Sequence, residues 1–338
     1  MMRLFEMAAT RWGILSAGKI SHDFVTCLRS TRDHEIVAVA GKNIDKVKEF
    51  AELHEIKNVL NKYEDMVKQD NVDVVYCGSL NPQHYPLVKL LLENGKPVLC
   101  EKPLTMCLEH TEELVRIARQ NRVFLMEALW SRFLPAYEVL RRRIGELGEI
   151  QSVQVSFGMA QIGKCDRVTK SQLGGSSILD IGIYTINFAQ LIFKDEYPAE
   201  VRAVGEISPE GVDIQTAIVL KYPSGKLASL TTSVSADLPC EATVYGKNGF
   251  IKARTLHKPF WCPDTIEVNG QKEVLPFPET ILPCNYVNSS GLRYEASHVR
   301  ECLNKGLTES PVLPLQATLN FARIIQTCLD QMGAKLKV

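Results

Sequence analysis

Over the first 130 residues, short and almost wholly apolar runs take turns with amphipathic stretches, and few architectures accept that pattern. Residues 12–15, 35–40, 72–76, 97–100 and 123–126 read as strands. Residues 20–28, the stretch after Asp45, 86–93 and 108–119 read as helices. Strands that are apolar on both sides must be covered on both sides. Alternation with helices therefore predicts a doubly wound, Rossmann-type parallel sheet. Asp45 is expected to cap its helix and Gly95 to stop the next one.

After Trp130 the pattern changes. One helix is expected over 136–144 and a longer one over 177–193. Strands dominate otherwise, at 150–157, 201–207, 215–222, 227–234 and 242–245. Asn269-Gly270 is a strong hairpin signal between 265–268 and 272–275. Helices at 294–304 and 315–332 close the chain. This half predicts an α/β domain with a large, mostly antiparallel open sheet. With 338 residues, two domains are expected, at 1–128 and 129–338.

Lys plus Arg number 39 and Asp plus Glu number 39, so the formal net charge is zero. Nucleic acid and anionic membranes both demand a basic surplus, so neither is expected as a partner. No apolar run reaches the ~18 residues of a membrane span. The first ten residues carry Arg3 and Glu6 and lack the apolar centre of a signal peptide. Ten cysteines are scattered without a CxxC pair or zinc spacing. They read as reduced thiols in a cytoplasmic protein without a metal, in which the sequon Asn288-Ser289-Ser290 is inert.

A dinucleotide loop has to turn tightly after the first strand and bring backbone N–H groups to a diphosphate. The loop here reads Ser16-Ala17-Gly18-Lys19-Ile20-Ser21, with only the middle glycine of the usual three. Its position after the first strand and before a helix makes Ser16, Ala17, Gly18, Lys19 and Ile20 the expected cradle. At the end of the second strand no acid stands ready for a ribose 2′-hydroxyl. Lys42 and Lys46 stand there instead, which favours the 2′-phosphate of NADP.

Three segments carry a family likeness. Glu101-Lys102-Pro103 follows a strand, Asn81-Pro82-Gln83-His84 follows the strand before it, and Asp180-Ile181-Gly182-Ile183-Tyr184 lies on the long helix. Together they resemble the Gfo/Idh/MocA oxidoreductases, and the likeness extends through 11–14, 127–133 and 294–299. The resemblance implies a Rossmann domain joined to an open-sheet domain. It also implies NADP-linked oxidation of a small diol or sugar: trans-dihydrodiols to catechols, and aldoses such as D-xylose.

In that scheme Tyr184 is the base, Lys102 lowers its phenol, and Asp180 orients the substrate or tunes Lys102. Gly182 leaves room for cofactor or substrate. Glu101, Lys102 and His84 sit beside the cofactor, while Trp130, Arg132, Phe133, Phe157 and Tyr286 line the substrate pocket. Strands 215–222 and 227–234 carry apolar residues on both faces, Ile218 and Leu220 opposite Ala217 and Val219. One face then needs a partner, which predicts a homodimer. A sugar or inositol dehydrogenase keeps the same fold. A non-catalytic NADP sensor would have no need of Lys102 and Tyr184 together.

Overall fold

The computed structural model describes residues 8–254 and 260–336. Met1–Met7, on which most of the signal-peptide reading rests, lie outside the described residues. The chain opens with β1 (Thr10–Leu15), α1 (Lys19–Arg29), β2 (His34–Ala40), α2 (Ile44–Leu53) and β3 (Val59–Leu60). It continues through β4 (Val74–Cys77), α3 (Asn81–Glu93), β5 (Val98–Glu101), α4 (Leu108–Asn121) and β6 (Leu125–Ala128). The six strands form one parallel sheet in the order β3-β2-β1-β4-β5-β6. Strand order reverses between β1 and β4, and ligands of such sheets bind at the carboxyl ends of those strands.

The second half holds α5 (Pro135–Arg143), β7 (Ile150–Gly158), the short α6 (Asp166–Thr169), α7 (Ile183–Ile192) and β8 (Glu200–Ile207). Then come β9 (Asp213–Lys221), β10 (Leu227–Ser233), β11 (Ala242–Gly246), β12 (Gly249–Arg254), β13 (Thr265–Val268) and β14 (Gln271–Val274). Helices α8 (Leu292–Asn304) and α9 (Leu315–Met332) end it. The eight strands run β14-β13-β12-β11-β7-β10-β9-β8, and only the β7–β10 pair is parallel. Asn269 and Gly270 both take positive φ, as the β13–β14 turn requires.

One face of this sheet packs on helices. Thr216, Ile218 and Leu220 of β9 point inward, while Ala217, Val219 and Lys221 are exposed. Helix α9 stitches the halves together. Leu315 and Leu319 join the core beneath the parallel sheet, and Phe321, Ile324 and Cys328 join the core of the second half.

Three local expectations change. Asn43 caps α2, its Oδ1 accepting from Lys46 N at 3.1 Å, because the cap must precede the first helical turn. Asp45 falls two residues too late and sits inside that turn. Helix α3 begins at Asn81, five residues before the expected start, and carries Pro86 inside. The helix expected over 177–193 opens with a π turn at Ile178–Gly182 before α7. All ten cysteines are free thiols. Among the described residues no helix is long and apolar enough to cross a membrane.

Candidate active site

The cradle forms where β1 meets α1. Ser16 takes φ 82° and donates its N–H to Ala40 O at 2.7 Å, which turns the chain sharply out of the sheet. A serine in this left-handed region costs about 1–2 kcal/mol that a glycine would avoid. Gly18 is the N-cap of α1, and no side chain caps that terminus. The first-turn N–H groups thus remain available to an anion, with the helix dipole behind them. Gly78, just past β4, donates to Leu15 O at 3.1 Å, and a Cβ there would strike Ser21 Oγ. Lys42 and Lys46 are exposed at the carboxyl end of β2. An uncapped helix, a tight turn and two exposed cations suit a dinucleotide.

The EKP segment leaves β5 toward the π turn. Lys102 Nζ donates to the Asp180 carbonyl at 2.7 Å and to Asp180 Oδ1 at 3.1 Å. Arg167 grips the same carboxylate, Nη1 to Oδ1 at 2.8 Å and Nη2 to Oδ2 at 3.3 Å. Burial alone would raise the Asp180 carboxyl. Lys102 and Arg167 outweigh it and hold the group well below the carboxylate range. The π turn brings both the backbone oxygen and the side chain of Asp180 to one lysine. Such turns are rare and cluster at functional sites.

Gly182 serves the sheet, contrary to the expectation that it leaves room for a ligand. A Cβ there would lie 2.9 Å from Ile178 Cγ1 and 3.1 Å from Thr232 Cγ2. Asp213, fully buried, anchors the turn's start by accepting from Ser176 Oγ at 2.5 Å and Ile178 N at 2.8 Å.

Tyr184 lies against this group. Lys102 Nζ is 5.2 Å from its ring centroid, and Trp130 Nε1 donates to Tyr184 Oη at 3.1 Å. The phenol was expected to be lowered by Lys102. Instead burial, then the Glu101 charge, push it well above the ordinary tyrosine range, against the Trp130 hydrogen bond. The ammonium is engaged with Asp180, so its charge is largely balanced there. Glu101 accepts from Tyr76 Oη at 2.8 Å and from Lys102 N at 3.2 Å. His84 has Nδ1 2.8 Å from Pro103 O and Nε2 3.0 Å from Ser79 O. It braces the two loops, with both ring nitrogens facing backbone carbonyls.

An aromatic wall completes the site. Phe157 stacks on Trp261 at 5.9 Å, and Trp261 lies 5.5 Å from both Trp130 and Tyr184. Trp261 was missed in the sequence. Its Nε1 is buried without a partner among the described residues. Tyr286 is exposed at the rim, its N–H donating to Asp23 Oδ2 at 2.9 Å, and the Arg167 charge reaches its phenol.

Two expected lining residues are elsewhere. Arg132 is fully buried and makes four hydrogen bonds: Nε to Asn187 Oδ1, two to Asp195, one to Val312 O. It clamps the second half together and cannot reach a substrate. Phe133 is buried with its ring 4.7 Å from that of His298 on α8. Trp130–Phe133 is a single 3₁₀ turn, which sends adjacent side chains to different sides.

Arg167 also escaped sequence reading, because it lies on α6, a single turn too short to show a period and without a motif. So did Glu295, which is fully buried with neither carboxyl oxygen hydrogen-bonded among the described residues. Burial, then Glu101, push its carboxyl well above the usual range, which favours the neutral acid. Among the described residues no group of three or more His, Cys, Asp or Glu could hold a metal ion.

Comparison with known proteins agrees with this geometry. Residues 10–129 match the oxidoreductase family with an NAD-binding Rossmann fold, and residues 139–252 match the Gfo/Idh/MocA C-terminal domain. The trans-1,2-dihydrobenzene-1,2-diol dehydrogenase of Xenopus tropicalis is 40% identical over 329 residues, covering 96% of this chain and 98% of that protein. The enzyme of that name from Homo sapiens is 39% identical over 329 residues, covering 96% and 97%.

Among solved structures, a 3-ketoreductase from Actinomadura kijaniata, in complex with NADP and TDP-benzene, superposes with TM-score 0.80 at 22% identity, covering 96% and 98%. A levoglucosan dehydrogenase in complex with NADH and levoglucosan gives 0.82 at 18%, covering 96% and 97%. With both family domains in place and the Lys102–Asp180 pair at the end of β5, the chain belongs to the Gfo/Idh/MocA oxidoreductase family and is an NAD(P)-dependent dehydrogenase.

Proposed function

We propose that this protein uses NADP to oxidise trans-dihydrodiols, trans-1,2-dihydrobenzene-1,2-diol to catechol among them, and aldoses of the D-xylose kind. The observation that carries the reading is the placement of Lys102. An ammonium has three N–H donors, and two go to Asp180. The third has no protein partner among the described residues. The ammonium lies 5.2 Å from the Tyr184 ring centroid, and Tyr184 in turn meets Trp130, Phe157 and Trp261. A cationic donor, a phenol and flat apolar walls suit a hydroxyl carried on a flat ring.

Ser16 to Ile20 hold the diphosphate on the first turn of α1, and Lys42 and Lys46 pair with the 2′-phosphate. Glu101 and Lys102 flank the nicotinamide ribose, and His84 acts by fixing Ser79 and Pro103. Bound NADP supplies the hydride acceptor. Lys102 steadies the substrate oxygen, and Tyr184 Oη takes the hydroxyl proton. Trp130 N–H supports the phenolate as it develops. Because the resting phenol is held high, Tyr184 is a ready acid for carbonyl reduction, and oxidation speeds up as pH rises.

We read residues 1–128 as the cofactor domain and 129–338 as the substrate and dimerisation domain. Two copies pair through the open sheet face, where Val204, Val219, Leu227 and Tyr245 are exposed. Ten free thiols fit the cytoplasm. The test is the appearance of reduced nicotinamide absorbance with NADP or NAD and a panel of dihydrodiols, aldoses and inositols. Turnover of inositols alone would move the substrate class. No turnover with any would reverse the reading in favour of a dinucleotide sensor.

A further inference from the structure

Two thiols far apart in sequence meet beside the cradle. Cys27 lies on α1, and Cys284 lies on the segment 276–288 that follows β14. This segment runs along α1 and is hydrogen-bonded to it along its length. Ile281 N donates to Ser30 Oγ at 3.2 Å, and His22 Nε2 is 3.0 Å from Pro283 O. Asn285 N and Tyr286 N both donate to the Asp23 carboxylate, at 2.7 and 2.9 Å, and Asn285 Nδ2 donates to Lys19 O at 3.2 Å. The segment therefore crosses the first turn of α1, the turn whose N–H groups form the cradle. Within this contact Cys284 stands between Pro283 and Asn285, whose partners on α1 are His22 and Asp23, and Cys27 lies one turn beyond Asp23, which brings the two thiols into each other's neighbourhood. Cys27 is fully buried and its thiol donates to Ser289 O at 3.0 Å, while Cys284 is partly exposed.

We propose that Cys27 and Cys284 form a redox-modification site: a hydroperoxide converts them to a disulfide that ties α1 to the crossing segment and slows dinucleotide exchange. Cys284 is the attacking thiol. Its pKa is lowered to about 7, first by the neighbouring Cys27 thiol and then by Thr280 and Arg293, against burial. Cys27 is pushed up and stays protonated. The Cys284 thiolate attacks a peroxide oxygen. An S–O bond forms, the O–O bond breaks, and the alcohol leaves after taking a proton. The sulfenic oxygen on Cys284 draws off the Cys27 proton as the Cys27 sulfur attacks the Cys284 sulfur. The S–S bond forms, the S–O bond breaks, and the oxygen leaves as water with the Cys27 proton. Two thiols thus give two electrons to one hydroperoxide, and a small dithiol reverses the change.

A second pair offers an internal contrast. Cys77 and Cys100 are register partners on β4 and β5, but both are fully buried. Without access to peroxide they remain thiols.

The test uses the full chain, reduced and then exposed to limiting hydrogen peroxide. Peptide mapping should recover Cys27 linked to Cys284, with Cys77 and Cys100 still free. Cys27→Ser should instead hold Cys284 as a sulfenic acid that dimedone captures. Release of NADPH, followed by fluorescence on displacement, should slow by about tenfold in the oxidised protein. That change should be absent in Cys284→Ser and reversed by dithiothreitol. A map in which other cysteines oxidise first overturns the site. A Cys27–Cys284 disulfide that leaves NADPH release unchanged overturns the tether. The mapping is independent of which substrate the enzyme takes.

Discussion

Replacing Asp180 by Asn keeps the side chain's shape and removes one charge from between two cations. Lys102 Nζ lies 3.1 Å and Arg167 Nη1 2.8 Å from Oδ1. At ~3 Å and an effective dielectric of about 20, each pair is worth roughly 5 kcal/mol before any cost of burial. Measured losses when one partner of a buried pair is removed run to about 3–5 kcal/mol. Arg167 is a third exposed, so its share is screened and the lower end applies. At ~2.1 cal/mol/K of unfolding entropy per residue, a chain of 338 residues loses about 1.4 °C of Tm per kcal/mol, so Asp180→Asn should melt roughly 4 °C below wild type near neutral pH.

The Asp180 carboxyl is depressed in the fold, so its contribution is present above the ordinary carboxylate value of ~3.9 and is lost as pH falls toward the depressed value. The two Tm curves should therefore converge in strong acid. Adding Arg167→Met should recover part of the loss, because one of the two stranded cations is gone. Differential scanning calorimetry of the three proteins across pH decides the matter. A Tm drop under about 2 °C, or no recovery in the double variant, would show that the charge cluster is loosely solvated and the reasoning wrong.

Four further outcomes follow from the same structure. Lys42→Glu with Lys46→Glu should raise the KM for NADP far more than that for NAD; equal changes would make both lysines mere surface charges. Glu295→Gln should raise Tm. A carboxyl pushed up by burial stabilises the fold fully only below its unfolded value of ~4.3, so the gain should grow as pH rises above that point, and a gain that shrinks with pH would contradict a neutral Glu295. Gly182→Ala should lower stability by on order 1 kcal/mol in urea unfolding, since crowding against Ile178 and Thr232 exceeds the helix-propensity gain. Val219→Glu should shift sedimentation from a dimer to a 37.8 kDa monomer; a wild type that already sediments as a monomer would refute the paired sheets.

Much of the fold was legible because burial leaves a period in the sequence. Strands β4 and β5 are covered on both faces and read as unbroken apolar runs, whereas β9 alternates. Two-residue β3 carries too few positions to show either pattern. In the site, Lys102, Asp180 and Tyr184 stood in motifs and are brought together. Arg167, Asp213 and Trp261 stood in none, Glu295 stood in a likeness segment that gave it no role, and the roles of all four come from contacts across the chain that no local period encodes. Arg132 was misread for the opposite reason. Its neighbour Trp130 does face Tyr184, but one 3₁₀ turn is enough to send the guanidinium to Asp195. The direction of the Tyr184 phenol could not be read from residue types either, since it depends on Lys102 being engaged with Asp180.

The most direct test is the pH profile of kcat/KM for dihydrodiol oxidation in wild type and Tyr184→Phe, with dinucleotide titrated by fluorescence alongside. The wild-type rate should climb toward high pH, because the phenol is held above its ordinary value of ~10. Tyr184→Phe should lose ~10²–10⁴-fold and the climbing limb, while dinucleotide still binds. If the variant keeps more than about a tenth of the wild-type rate, well inside the ~10²-fold expected for a lost base, Tyr184 does not carry the proton.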